Sequence, residues 1–109
     1  MSDTGAETPV QDLLATMTAA SMEASGLDAQ SLMLVRIAAL VAVDAPPASY
    51  LLNLGVADAV GVDGETVRDV FAAVAPIVGT ARIASAVGNA ARALGFAELV
   101  AEQQIAEDM

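Results

Sequence analysis

The stretch LMLVRIAALVAVDAPP, residues 32–47, decides the fold of this chain. Its first twelve residues, Leu32 to Val43, are apolar except for Arg36, and Asp44-Ala45-Pro46-Pro47 ends the run. A run of this length is well short of the roughly 20 apolar residues that a membrane span needs. A helix that is apolar on nearly every side is a buried helix. The stretch therefore predicts the central helix of an all-helical protein.

Start and stop residues predict the helices on either side. Thr8-Pro9 places a capping residue before a proline, so a first helix begins there and runs to about Ser25. Asp28 caps the central helix. The residues before Thr8 contain almost nothing to bury, so residues 1–8 are expected to form a disordered tail and residues 9–109 a single helical domain.

The second half of the chain continues the pattern. A third helix is predicted from about Pro47 to Val60, and Asp63-Gly64-Glu65 begins a fourth that closes at Pro76 and Gly79. A fifth runs from about Thr80 to Leu94, where Gly95 separates it from a short acidic helix over residues 96–107. No alternating strand pattern of useful length is present. The predicted fold class is all-α, a compact bundle of about six helices.

Composition excludes several functions. Of 109 residues, 56% are hydrophobic and only three are aromatic, which is typical of closely packed helices and predicts that apolar surface is covered by other copies of the chain. The net charge of −10 argues against nucleic-acid binding. The chain has no cysteine and no histidine, which excludes thiol redox chemistry and imidazole catalysis and removes the nitrogen and sulfur ligands that a zinc site prefers. No secretory signal or membrane span is visible, and we expect a cytoplasmic protein without cofactor or metal.

Two segments resemble the carboxymuconolactone decarboxylase and alkylhydroperoxidase-D-like family. One begins with Leu34-Val35-Arg36-Ile37-Ala38-Ala39-Leu40 and extends to Asn53. The other is Ala75-Pro76-Ile77-Val78-Gly79-Thr80-Ala81-Arg82, which continues into Ala90-Ala91-Arg92. The similarity covers roughly residues 10 to 100 and is carried mainly by the Ala-Pro-x-x-Gly-x-x-Arg arrangement between two helices. The resemblance implies an all-helical protomer that assembles into trimers or hexamers.

The catalytic residues of that family do not occur in this chain. The family's redox branch has a Cys-x-x-Cys and a following histidine, at positions that match Pro46, Ser49 and Asn53 here. A serine with no histidine or lysine to activate it does not replace a thiolate, so peroxidase activity is not expected. The decarboxylase branch uses a histidine whose matching position is again Asn53. An amide does not exchange protons near neutral pH, so decarboxylation would need a carboxylate instead.

Five residues are candidates for ligand binding. Ser49, Tyr50 and Asn53 share one face of the third helix and could line a pocket; alternatively, Tyr50 packs its ring with the hydroxyl at the edge while the other two bond to nearby backbone. Arg36 could bind a substrate carboxylate, or could close an ion pair within the chain or between subunits, with Asp44, Asp58 and Asp69 among the candidate partners.

Arg82 belongs to a polar stripe on the fifth helix, formed with Ser85, Asn89 and Arg92. The stripe could simply be a solvated face. Alternatively, it could form a subunit interface or a groove that holds an anion. No catalytic residue can be assigned from the sequence.

Three functions remain open. The first is a non-redox, homo-oligomeric member of the family that binds a small organic molecule near Tyr50 and Asn53. The second is a lyase or isomerase acting on a small carboxylated lactone, with Asp44 or Asp58 as the base and Arg36 or Arg82 holding an anionic group. The third is a structural or interaction protein without a ligand.

Overall fold

Five helices make up the computed structural model, which describes the backbone of residues 2–108 and the side chains of residues 8–95, 102 and 103. The helices are α1 (Ser2–Ala24), α2 (Ala29–Ala42), α3 (Pro47–Ala59), α4 (Gly64–Val78) and α5 (Thr80–Asp108). Residues 2–108 contain no strand, so the predicted all-α class is confirmed. Within the same residues, none of the helices is long and apolar enough to cross a membrane.

Short polar side chains begin two of the helices where the sequence predicts. The Asp28 carboxylate accepts a hydrogen bond from the Ser31 backbone N–H at 2.7 Å and caps α2. Asp63 caps α4 in the same way, accepting from the Thr66 backbone N–H at 2.9 Å and from its hydroxyl at 2.8 Å. These contacts satisfy backbone donors that have no partner within the helix. The helix α3 begins on Pro47, whose fixed φ suits a first helical position.

The core is built around α2, as its composition predicts. Met33, Ile37 and Val41 recur at four-residue spacing, so they share one face, and that face is completely buried. The helix α2 contacts α3, α4 and α5, and α5 also contacts α3 and α4. Tyr50, Ala57 and Phe71 complete the centre of the cluster from α3 and α4. Four helices therefore enclose one apolar core.

The helix α1 lies outside this arrangement. Every residue from Pro9 to Ala24 is exposed, including five large apolar side chains. One hydrogen bond between α1 and the rest of the molecule runs from Arg36 Nη2 to Ser21 Oγ, at 3.1 Å. The apolar residues of α1 therefore do not contribute to the core of a single copy.

Two helix boundaries differ from the sequence-based expectation. The predicted sixth helix is the C-terminal part of α5, which continues through Gly95. A glycine costs about 1 kcal/mol relative to alanine inside a helix, which weakens a helix without ending it. At the other end, α1 begins at Ser2, within the segment expected to be a disordered tail, and Pro9 lies inside the helix. Its φ is compatible with a helix, so proline removes one hydrogen bond there without setting the boundary.

Candidate functional site

The face of α3 expected to line a pocket is occupied by local contacts. Asn53 is half-buried, and its Nδ2 donates a hydrogen bond to the Ser49 carbonyl oxygen at 2.9 Å. This is the bond to nearby backbone that the sequence offered as the alternative to ligand binding. Asn53 and Ser49 therefore act mainly within their own helix.

Tyr50 is fully buried, and its hydroxyl has no hydrogen-bond partner among the described residues. The expectation that the hydroxyl lies at the edge of the core is therefore wrong. Burial is the main cause that raises the pKa of Tyr50, and the negative charge of Asp44 raises it further. The phenol is neutral at physiological pH.

A chain of polar contacts joins the turn between α2 and α3 to α5. The Ser85 hydroxyl donates to the Asp44 carboxylate, and Asn89 Nδ2 donates to the Ala45 carbonyl oxygen at 3.1 Å. Arg92 Nη1 then donates to Asn89 Oδ1 at 3.0 Å. Asp44 has φ 56°, a left-handed conformation that aspartate tolerates better than most residues. The polar stripe on α5 thus fixes this turn, so it is not simply a solvated face.

The two arginines that could hold an anion, Arg36 on α2 and Arg82 on α5, form no hydrogen bond within this chain of contacts. Arg36 is half-buried and donates a hydrogen bond to Ser21, and no carboxylate of the described residues lies within ion-pair distance of it. The internal form of the predicted ion pair is therefore wrong, and an ion pair between subunits stays a prediction: the arginine stem follows α2 while the guanidinium reaches the edge beside α1. Arg82 is exposed near the start of α5.

The clearest site on the molecule is a cavity between α3, α4 and α5. Its volume is about 540 Å³, within the range of about 300–1,000 Å³ that is usual for small-molecule sites. Large apolar side chains form most of its wall: Leu51, Leu54, Val62, Val67, Phe71, Val87 and Leu94. Val87 and Leu94 are about half exposed, so the cavity opens to solvent along α5.

Three charged residues also line the cavity. Asp63 is engaged in capping α4; its pKa is lowered by the hydrogen bonds from Thr66 and, to a smaller extent, by the positive charge of Arg68. Asp58 and Arg68 are exposed and lie on α3 and α4, respectively. The cavity therefore combines an apolar wall with one carboxylate and one guanidinium that are available to a ligand.

Gly55 creates part of this space. A Cβ atom built on Gly55 meets nothing within 4 Å, although the residue lies in the middle of α3 and lines the cavity. Sequence reasoning missed this site and selected Ser49, Tyr50, Asn53, Arg36 and Arg82, none of which lines the cavity. The available signal was a glycine inside a helical pattern, which often marks a position with a packing or functional role.

Among the described residues, no group of three acidic side chains is arranged to hold a metal ion. Comparisons of the chain with protein-family models, with curated proteins and with solved structures found no match.

Proposed function

We propose that this chain is a cytoplasmic, homo-oligomeric and non-redox protein of the carboxymuconolactone decarboxylase-like kind, and that it binds a small, mostly apolar organic molecule. The single observation that carries the binding proposal is the cavity between α3, α4 and α5. It replaces the pocket beside Tyr50 and Asn53 that the family positions imply, because those side chains are buried or bonded within α3.

The family part of the proposal rests on the two resembling segments. In the structure, the Ala-Pro-x-x-Gly-x-x-Arg segment is the junction of α4 and α5, with Gly79 as the cap residue between them. The oligomer part is supported by the high apolar content and by the exposed apolar residues of α1.

The binding proposal is tested with three probes that share one ring system but differ in charge: indole, indole-3-acetate and tryptamine. A molecule that binds only the folded state raises its stability with concentration, by about 2.7 kcal/mol at a hundred times Kd. We expect thermal melts of the full chain to shift upward with at least the neutral probe. If none of the three shifts the melt, the third function, a structural or interaction protein without a ligand, is favoured.

A blocking variant ties that shift to the cavity. Gly55→Leu has open space for its Cβ atom and directs a large side chain toward the cavity, so it should keep the fold while removing the concentration-dependent shift. Gly95→Leu is the matched control, because Gly95 is also an open helical glycine but does not line the cavity. Loss of the shift in both variants, or in neither, would contradict binding at this site.

A lyase or isomerase acting on a small carboxylated lactone is the second candidate. It is favoured by one observation, that Asp58 and Arg68 line the same cavity and could serve as a base and as an anion-binding group. Arg68 replaces Arg36 and Arg82 in this role. Consumption of a carboxylated lactone that is lost in Asp58→Asn and retained in Asp69→Asn would support it, since Asp69 is exposed on α4 but does not line the cavity.

A further inference from the structure

The exposed surface of a single copy is too large for a chain of this size. The accessible surface is 7482 Å², whereas a compact monomer of 10.9 kDa exposes about 5,600 Å². The radius of gyration is 15.7 Å, compared with about 13 Å for a compact domain of 109 residues. The surplus of about 1,900 Å² exceeds the roughly 800 Å² that each partner buries in a stable interface of standard size.

The apolar residues of α1 form a continuous stripe. Val10, Leu13, Leu14 and Met17 recur at spacings of three and four residues and are 56–66% exposed. Ala20 and Ala24 extend the same stripe toward the end of the helix. The acidic residues Asp12 and Glu23 lie outside the stripe, whereas Thr16 borders it and Ser21, four residues after Met17, lies within it and accepts the hydrogen bond from Arg36. Such a separation of apolar and polar faces is typical of a helix that packs against another surface.

We infer that this stripe, residues 10, 13, 14, 17, 20 and 24, binds the same stripe of a second copy, with the two α1 helices antiparallel about a two-fold axis. The inference rests on the proposed homo-oligomer and names its contact surface. Large residues occupy the first half of the stripe and alanines the second. In an antiparallel pair the large half of each helix meets the small half of its partner, whereas a parallel pair places large side chains opposite each other.

The charges on α1 favour a second copy over a membrane as the occupant. Helices that bind at a membrane surface carry lysine and arginine on their polar face, because cytoplasmic leaflets are anionic. From Thr8 to Ala24, α1 has Asp12 and Glu23 but no basic residue. In the antiparallel pair these acids lie away from the contact, so they do not oppose it.

The first test compares the mass in solution of two matched glutamate variants. Sedimentation velocity at micromolar concentration should show the wild type as an assembly with an even number of copies. Leu13→Glu places a charge in the stripe and should reduce the mass at least twofold, whereas Ala19→Glu, at an exposed position on the opposite side of the same helix, should leave it unchanged.

These outcomes separate the inference from the function on which it rests. A monomeric wild type overturns both the proposed oligomer and the α1 contact, while the probe measurements still decide ligand binding. An oligomer with an odd number of copies, or one that Leu13→Glu leaves intact, overturns only the α1 contact.

A second test reports the orientation of the helices. The chain has no native cysteine, so each introduced thiol can form only a bond between copies. Residue 17 is the midpoint of the stripe and meets its own counterpart across the two-fold axis, so Met17→Cys should give a disulfide-linked dimer under mild oxidation. Val10→Cys should not, because its counterpart lies about 21 Å away along the axis. Linkage of both variants, or of neither, contradicts the antiparallel pair.

Discussion

Tyr50 places a hydroxyl group inside the apolar core, where it has no partner among the described residues. A buried hydroxyl that loses its contacts with water and gains none in return destabilises the folded state. The same burial raises the pKa of the phenol, because the charged form would be even less well solvated. The side chain thus contributes through its ring, and the hydroxyl can be tested separately.

We expect Tyr50→Phe to keep the stability of the protein or to raise its free energy of unfolding by up to about 1 kcal/mol. Urea melts of the two proteins at pH 7 measure the change. A loss of about 1 kcal/mol or more would mean that the hydroxyl makes a favourable contact in the assembled protein.

The pH dependence gives a second readout of Tyr50. Its folded pKa is raised above the ordinary value of 10.0, so its contribution to stability is fully present below pH 10 and is lost as the pH rises through the folded pKa. Wild type should therefore lose stability relative to Tyr50→Phe above pH 10. Parallel curves for the two proteins up to the limit of reversible unfolding would contradict the raised pKa.

The pH dependence of stability that arises from Asp63 has the opposite sign to that of Tyr50. Hydrogen bonds from Thr66 lower its pKa below 3.8, so the charged cap contributes stability above that pH and loses it as the pH falls through the folded pKa. Asp63→Ala should be less stable than wild type at pH 7, with the difference narrowing as the pH falls below 3.8 and through the lower pKa of the folded state. Asp69→Ala, at an exposed acid that does not cap α4, is the control and should change little over the same pH range.

Among the helices, the junction between α4 and α5 depends on one glycine. Gly79 has φ 89° and ψ 164°, a backbone conformation that is essentially restricted to glycine. It lets the chain leave α4 at Val78 and enter α5 at Thr80 without an intervening loop. The sequence identified Gly79 and Gly95 alike as helix stops, but only the first has a left-handed φ.

That difference predicts opposite effects of one substitution. Gly79→Ala should lower the free energy of unfolding by roughly 1–3 kcal/mol, because alanine is strained in this conformation. Gly95→Ala should raise it by up to about 1 kcal/mol, because the residue is helical and a Cβ there meets nothing within 4 Å. Thermal and urea melts measure both, and equal effects would contradict the assigned roles of these glycines.

The sequence predicted the parts of the fold that depend on neighbouring residues. Asp28, Asp63 and Pro47 begin helices because their own side chains or rings set the local backbone, so their positions can be read directly. Gly95 and Pro9 were misjudged because each only weakens a helix, and the helix continues when the flanking residues favour it.

The candidate site was far less predictable. The cavity combines residues from three helices, and its formation depends on how α3, α4 and α5 are rotated and spaced. Helical periodicity within one segment says which residues share a face but not which face of another helix they meet. Asp58 was named as a candidate base, yet its neighbour Arg68 could not be linked to it without the packing of α3 beside α4 and α5.

For the complete molecule, stability is expected to be uneven. The helix α2 is surrounded by three others, whereas α1 is exposed from Pro9 to Ala24 and is joined to α2 by the contact between Arg36 and Ser21. Elements with few buried contacts open locally at low free-energy cost, without unfolding of the core. Association with a second copy would add the missing contacts to α1 alone.

Hydrogen exchange should therefore depend on protein concentration in α1 and not in α2. At protein concentrations below the dissociation constant of the assembly, amides of residues 10–24 should exchange much faster than those of residues 32–42. Raising the concentration should slow the exchange of residues 10–24. The comparison needs only wild type and Leu13→Glu, in which α1 should remain fast throughout. Fast exchange in wild-type α1 at every concentration would show that α1 is not covered by a second copy.

The open side of Gly55 also bears on how the binding preference of such a protein could diverge. A Cβ atom at this position meets nothing within 4 Å, so alanine would fit without moving the backbone, and the larger valine and leucine would take further increments of the cavity. These substitutions also replace a poor helix former with better ones, so they carry no stability penalty from the backbone. Under the proposed binding function, mutations in this single codon would thus shift the size of the accepted molecule while the fold remains the same.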